Sequence, residues 1–270
     1  MKATRLIPIR STALVTAALV LAALPASARI TRSRSTASST SAAPGGKPSL
    51  LTPFYSLVIG GGFEYQRDKD QIEYGFPLLL EYNFSERIKL TIEPKFSKIV
   101  GRNPDVRSVS GFADLDTTLD YEFLRERRYR PALSLEGSIR WPTAEDPDLG
   151  DRGRDYTIGL IASKDLVFMD VDLNVLYTFA GDRDQDDTVE ISLATEWHVT
   201  HYVGLIAELA NARRMGSVRG PEAGELNEME ATVGLSWQVS KYLKFEQGIV
   251  FKEHGIWEAV FAWEWNFGGD

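Results

Sequence analysis

The chain contains no cysteine. That excludes disulfides, a cysteine nucleophile and thiolate zinc sites. Histidine is scarce, with 3 in 270 residues, so a histidine-based metal or catalytic centre has few residues to draw on. Basic residues are outnumbered, 30 Lys and Arg against 38 Asp and Glu, and the net charge of -8 argues against a nucleic-acid partner. Beyond the N-terminus no run of about 18 apolar residues occurs, so no transmembrane helix is expected there.

What is present begins with a secretory pattern. Lys2, Arg5 and Arg10 precede the apolar run of residues 13–24, and Pro25 leads into Ala26-Ser27-Ala28. A charged start, a short apolar stretch and an A-x-A site predict a signal peptide over residues 1–28. The apolar run is too short for the ~20 residues of a spanning helix. No cysteine follows it, so a lipoprotein anchor is not expected. Removing the three positive charges takes the net charge from -8 to -8 - 3 = -11. Residues 29–53 are dominated by Ser, Thr, Ala, Gly and Pro. They have too little apolar surface to offset ordering entropy and read as a disordered periplasmic lead. Arg29, Arg32, Arg34 and Lys47 make this lead basic. Gly45-Gly46-Lys47 lacks the rest of a phosphate-binding loop.

From residue 54 onward the chain alternates with period two. In 72–84, Ile72, Tyr74, Phe76, Leu78, Leu80, Tyr82 and Phe84 share one face, while Glu73, Gly75, Glu81 and Asn83 share the other. Successive strand side chains point to opposite faces, so this is a strand with one apolar and one polar side. The pattern recurs at 54–66, 87–97, 111–124, 131–142, 154–164, 168–180, 187–199, 201–211, 228–239, 242–252 and 256–267, with 201–211 the weakest. These lengths suit the ~9–11 residues a membrane-spanning strand needs. The connections 85–86, 125–130, 164–167, 200–201 and 240–241 are brief. They alternate with a set that is mostly longer and polar, 98–110, 143–153, 181–186 and 212–227, although 67–71 and 253–255 are short. Short periplasmic turns and longer outer loops characterise outer-membrane barrels.

The expectation is an all-β fold, a transmembrane antiparallel up-and-down barrel of about twelve strands over residues 54–270. A soluble barrel or sandwich could bury the same apolar set. Against it stand strand length and aromatics at strand ends, among them Tyr82, Phe84, Tyr121, Phe123, Tyr177, Phe179, Trp197, Tyr202 and Tyr242. The last strand ends on Phe267, resembling the C-terminal assembly signal of outer-membrane proteins, with three residues after it.

Lipid contact by the apolar face turns a densely charged set inward. On successive strands it comprises Glu81, then Glu93, then Asp114, Asp116, Asp120 and Glu122, then Glu136 and Arg140. Asp170 and Asp172, Glu190, Glu208, Glu230 and Glu258 follow along the chain. Only Lys89, Lys95, Lys244 and Lys252 join Arg140 as inward bases. A lumen of one dominant sign could be a wet, cation-attracting pore. It could equally be a plugged lumen whose charges only stabilise the barrel. His198, His201 and His254 fall at turns or rims with no nucleophile motif beside them. The acidic loops 145–155 and 181–187 lack calcium-loop spacing and read as solvated.

One family likeness is carried by particular residues. Gly111-Phe112-Ala113-Asp114-Leu115 resembles the Gly-x-x-Asp-Leu strand of outer-membrane barrels named for transport in the MetA pathway of phenol degradation. Arg140-Trp141-Pro142-Thr143 resembles that family's strand ending in Pro-Thr-Gly before a long outer loop, with Ala144 replacing the glycine. Ser163-Lys164 and residues 174–181 resemble the next hairpin. The likeness is specific only over 111–181. It implies passage of small aromatic or other hydrophobic compounds, and it carries over no site residues.

The reading is therefore an outer-membrane channel or transporter for small molecules, without enzymatic activity, cofactor or metal. The expected partners are outer-membrane lipids, the barrel assembly machinery and a small-molecule cargo. The alternative is a closed structural barrel or a lipid-modifying enzyme of the outer membrane.

Overall fold

The computed structural model describes residues 56–267 apart from 105, 183–184 and 216–226, and the side chains of residues 227 and 254 are likewise outside the described set. The expected signal peptide and lead, residues 1–53, therefore lie outside the described residues.

The chain forms an antiparallel sheet of fourteen segments. In order they are β1 (Leu57–Arg67), β2 (Gln71–Ser85), β3 (Ile88–Glu93), β4 (Lys95–Gly101), β5 (Val109–Phe112), β6 (Leu115–Leu124) and β7 (Ala132–Trp141). Then come β8 (Asp155–Asp165), β9 (Met169–Phe179), β10 (Asp187–His198), β11 (Val203–Met215), β12 (Asn227–Ser240), β13 (Leu243–Lys252) and β14 (Trp257–Phe267). Two pairs of segments are halves of single strands, so the wall has twelve staves. β3 and β4 are parted by Pro94, which has no N–H for the ladder, although its carbonyl still accepts from Leu78 N at 2.9 Å. β5 and β6 are parted by Ala113-Asp114. The outward side is Phe112 before the break and Leu115 after it, an even-to-odd switch that marks a bulge.

Each stave pairs with its sequence neighbours, and β1 closes the ring. Leu57 pairs with Tyr82 of β2 on one side and Phe267 of β14 on the other. Closure joins the two ends of the sheet, which is what lets it cross hydrocarbon, while the short β5 pairs with β4 alone. The first and last staves meet at the short-turn end, the periplasmic end in barrels of this kind. Three of its turns share one device, a hydroxyl accepting two backbone N–H groups. Ser85 Oγ accepts from Arg87 and Ile88 at 3.2 and 3.0 Å, and Ser240 Oγ from Tyr242 and Leu243 at 3.2 and 3.2 Å. Thr200 Oγ1 accepts from Tyr202 and Val203 at 3.1 and 3.0 Å.

The burial pattern is the inverse of a soluble protein's. Leu78, Leu119, Ile158, Ile191, Leu209 and Val233 are exposed, each by half or more. Buried polar groups include Asn83, Glu93, Asp116, Ser134, Asp172, Ser192, Thr232 and Glu246. Apolar exterior and polar interior together define a transmembrane barrel. Exposed aromatics also mark the strand ends, as with Phe84, Phe123, Trp197 and Tyr202 near the short turns.

Some expected boundaries move. The 98–110 loop shrinks to 102–108, because β4 runs on to Gly101 and β5 starts at Val109. The weak strand at 201–211 is the long β11, reaching Met215. Its outer half carries Ala210, Ala212 and charged residues, which blurs the alternation while the β10 register holds it in the sheet. The loop around residue 254 is a single 3-10 turn, Glu253–Gly255, where Gly255 takes φ 77, a left-handed angle suited to glycine.

Candidate functional site

Every charged residue proposed for the inner wall lies buried or half-buried on the enclosed face. Glu93, Asp114, Asp116, Glu122, Asp170 and Asp172 are buried. Glu81, Asp120, Glu136, Arg140, Glu190, Glu208, Glu230 and Glu258 are half-buried. They face the same side because period two puts them out of phase with the lipid-facing residues.

The tertiary structure adds how these charges are matched. Each inward lysine sits between two carboxylates. Lys89 lies 3.4 Å from both Glu81 and Asp120. Lys95 lies 2.6 Å from Glu64 and 3.8 Å from Glu73. Lys244 lies 2.6 Å from Glu246 and 3.4 Å from Glu196, whose other oxygen accepts from Ser236 Oγ at 2.5 Å. Lys252 lies 2.9 Å from Glu258 and 3.8 Å from Glu230. All four lysines come from β3, β4 and β13, close to the closing seam.

Two inward carboxylates differ. Glu136 on β7 and Glu208 on β11 make no ion pair among the described residues. Glu208 feels Glu190, Glu230 and Asp172, while Glu136 feels Asp120, Lys89 and Glu190. The inward lysines are each shared by two acids, while Glu208 lies outside every ion pair among the described residues. Apolar side chains share the enclosed face: Val58, Leu79, Ile99, Ile161, Leu176, Ile206, Val250 and Val260 lie in phase with the inward polar and glycine positions.

At the outer end the loop 142–154 departs from the solvated loop expected from its composition. It turns back onto the enclosed face. Asp114, 7% exposed, accepts from Ala144 N at 3.0 Å and from Asp151 N at 2.6 Å. Arg140 lies 3.1 Å from Asp116 and 3.6 Å from Asp151. Asp155, buried at the start of β8, accepts from Gly181 N at 2.8 Å. Asp151 and Asp155 thus meet a guanidinium and a backbone N–H, while Glu145 and Asp148 stay exposed. Sequence reading missed Asp151 and Asp155. The usable signal was the phase of Asp155, which matches the inward Gly159 and Ser163 of β8.

His198 has both ring nitrogens engaged, Nε2 with Asp170 at 2.9 Å and Nδ1 with the Val167 carbonyl at 3.2 Å. Both partners are acceptors, and no serine hydroxyl is paired with this ring among the described residues. His201 is exposed at the β10–β11 turn. The His254 side chain lies outside the described residues.

Solved structures share this architecture. An outer membrane channel from Pseudomonas putida F1 aligns with a TM-score of 0.70 over 80% of this chain and 97% of its own, at 13% identity. The KdgM porin, in complex with disordered oligogalacturonate, aligns at 0.53 over 77% and 99%, at 10% identity. The NanC porin aligns at 0.54 over 77% and 98%, at 8% identity. No family model and no curated protein sequence matches the chain. The protein is a twelve-strand transmembrane β-barrel with the fold of outer membrane channels and porins. The particular resemblance seen at residues 111–181 is supported at the level of that fold.

Proposed function

We propose that this protein is a diffusion channel of a Gram-negative outer membrane, passing small polar solutes through an acidic lumen and preferring cations to anions. The observation that carries the reading is the excess of inward carboxylates, with each inward lysine already shared by two acids and Glu208 outside every ion pair among the described residues. Carboxylates in a narrow, low-dielectric enclosure attract cations and repel anions. Asp116 and Asp120 are matched by Arg140 and Lys89, so the excess charge resides at Glu136, Glu208 and their neighbours. The density of inward charge favours a polar cargo over the aromatic compounds that the family resemblance implies.

Ion selectivity of the refolded barrel in a planar bilayer tests this. The reversal potential in a salt gradient should show cation preference. That preference should weaken as salt rises, since the Debye length shrinks from ~10 Å at 0.1 M to ~3 Å at 1 M. Glu136→Gln with Glu208→Gln should reduce it further. Anion preference at low salt would overturn the reading.

Export is part of the same proposal. The chain is cleaved after Ala28, folds with the barrel assembly machinery and resides among outer-membrane lipids. The mature N-terminus should read Arg29-Ile30 by sequencing, in the outer-membrane fraction. Recovery as a soluble periplasmic protein would contradict it.

A further inference from the structure

Side chains that face lipid at mid-depth are apolar, because no water is there to satisfy a polar group. β13 breaks this rule at one position. Its outward residues are Leu243, Phe245, Gln247, Ile249 and Phe251, and Gln247 lies between Leu235 of β12 and Phe261 of β14. Glu246 and Ala262, in the other phase, are buried, whereas Gln247 is exposed. The ends of the run fix its depth. Leu243 pairs with Trp265 and Phe251 with Trp257, tryptophans of the kind found at the two membrane interfaces. Gln247 is the middle residue of the run and so sits near the mid-plane.

Other polar side chains on the lipid side are satisfied within the wall. Thr117 Oγ1 donates to the Ile139 carbonyl at 3.4 Å and accepts from Trp141 Nε1 at 2.9 Å. Thr195 Oγ1 donates to the Ala207 carbonyl at 3.2 Å. The Gln247 amide has no such partner among the described residues. Its cross-strand neighbours, Leu235 and Phe261, offer none. An amide left unpaired in hydrocarbon costs free energy that a leucine at the same place would avoid.

We infer that the outward face of β12–β14 is an interface between two copies of this barrel, joined by reciprocal hydrogen bonds between their Gln247 amides. An amide carries a donor and an acceptor and is its own complement. A two-fold axis along the membrane normal brings the same residue of each copy to the same depth. Amide then meets amide, where a lipid tail offers neither donor nor acceptor. The surroundings suit close approach. Ala259 beside Ile249 and Ala231 beside Phe251 keep the wall low, and Phe245 stacks with Phe261 at 5.9 Å to give a continuous apolar surface. Small residues and polar side-chain pairs are what associate segments inside a membrane, where burial of apolar surface drives nothing. The interface uses the lipid side alone and stands whether or not the lumen conducts.

The test is energy transfer between copies of the refolded mature protein in lipid vesicles. The chain has no cysteine, so one introduced cysteine places one dye. Lys241→Cys puts it on the exposed β12–β13 turn, beside the proposed contact. Tyr129→Cys puts it on the β6–β7 turn, on the opposite side of the ring. Mixed donor- and acceptor-labelled Lys241→Cys should show transfer that persists on dilution with lipid and exceeds that of Tyr129→Cys severalfold. Adding Gln247→Leu should remove most of it, in a barrel that still folds, since leucine belongs on a lipid face. Equal transfer from the two labels, or transfer at Lys241→Cys undiminished by Gln247→Leu, would overturn the inference. A chain that stays monomeric in vesicles would overturn it as well, leaving the amide to another membrane protein.

Discussion

A lysine in place of Leu119 is expected to destabilise the barrel by about 2–4 kcal/mol, the cost of a charge on the lipid face near mid-membrane. Leu119 sits within β6, half exposed, between Leu90 of β3 and Gly137 of β7. No carboxylate shares its face, because Asp116, Asp120 and Glu122 are all out of phase with it. Glu208→Lys makes the matching comparison. That position faces inward among Glu190, Glu230 and Asp172, so a cation there should be tolerated or stabilising. Urea unfolding in lipid vesicles measures both. A harmless lysine at 119 together with a damaging one at 208 would mean that the two faces have been exchanged.

The second large effect is expected at Lys89. Replacing it by Met leaves Glu81 and Asp120 confronting each other without the cation that sits 3.4 Å from each. Breaking a buried pair in this way costs about 3–5 kcal/mol in a dry interior, and a wet lumen should place the loss toward the lower end. The double variant Lys89→Met with Asp120→Asn should recover part of the loss, since one of the two stranded charges is then gone. Equal destabilisation by the single and double variants would show that the lysine acts through packing of its methylene stem. The comparison matters beyond stability. It asks whether the lysines near the seam are structural, leaving solute contact to carboxylates such as Glu208.

Much of the fold was legible because membrane barrels write both of their environments into local sequence. Ile72 to Phe84 on one face and Glu73 to Asn83 on the other need no partner strand to be read. The lipid side must be apolar at every second position, whatever the neighbouring stave contributes. Turn chemistry was local as well, as the Ser85, Thr200 and Ser240 hydroxyls show. Where alternation faltered, the reading lost its edge. The outer half of β11 and the β4–β5 connection were taken for loop, because their place in the wall depends on hydrogen bonds to a neighbour. The break at Ala113-Asp114 was also invisible as a bulge. The polar phase of Asp114 to Glu122 looked regular, and only the outward Phe112 shows the switch.

By itself, the sequence determined a wall of about twelve strands, the side of it that meets lipid and the acidic character of the other side. All three follow from the two-residue period of a strand in contact with hydrocarbon. The tertiary structure decided which acids keep their charge unmatched and where the outer loop lies. Lys244 meets Glu196 from 48 residues away, and Lys252 meets Gln66 from 186 away. Such pairings are set by register and closure, which no local pattern encodes. Asp114 finds its donors 30 and 37 residues further on, so an acidic segment that reads as a solvated loop becomes part of the inner wall. The physical reason is that an enclosed carboxylate must be satisfied, and in a closed barrel the groups that satisfy it come from wherever the ring brings them together.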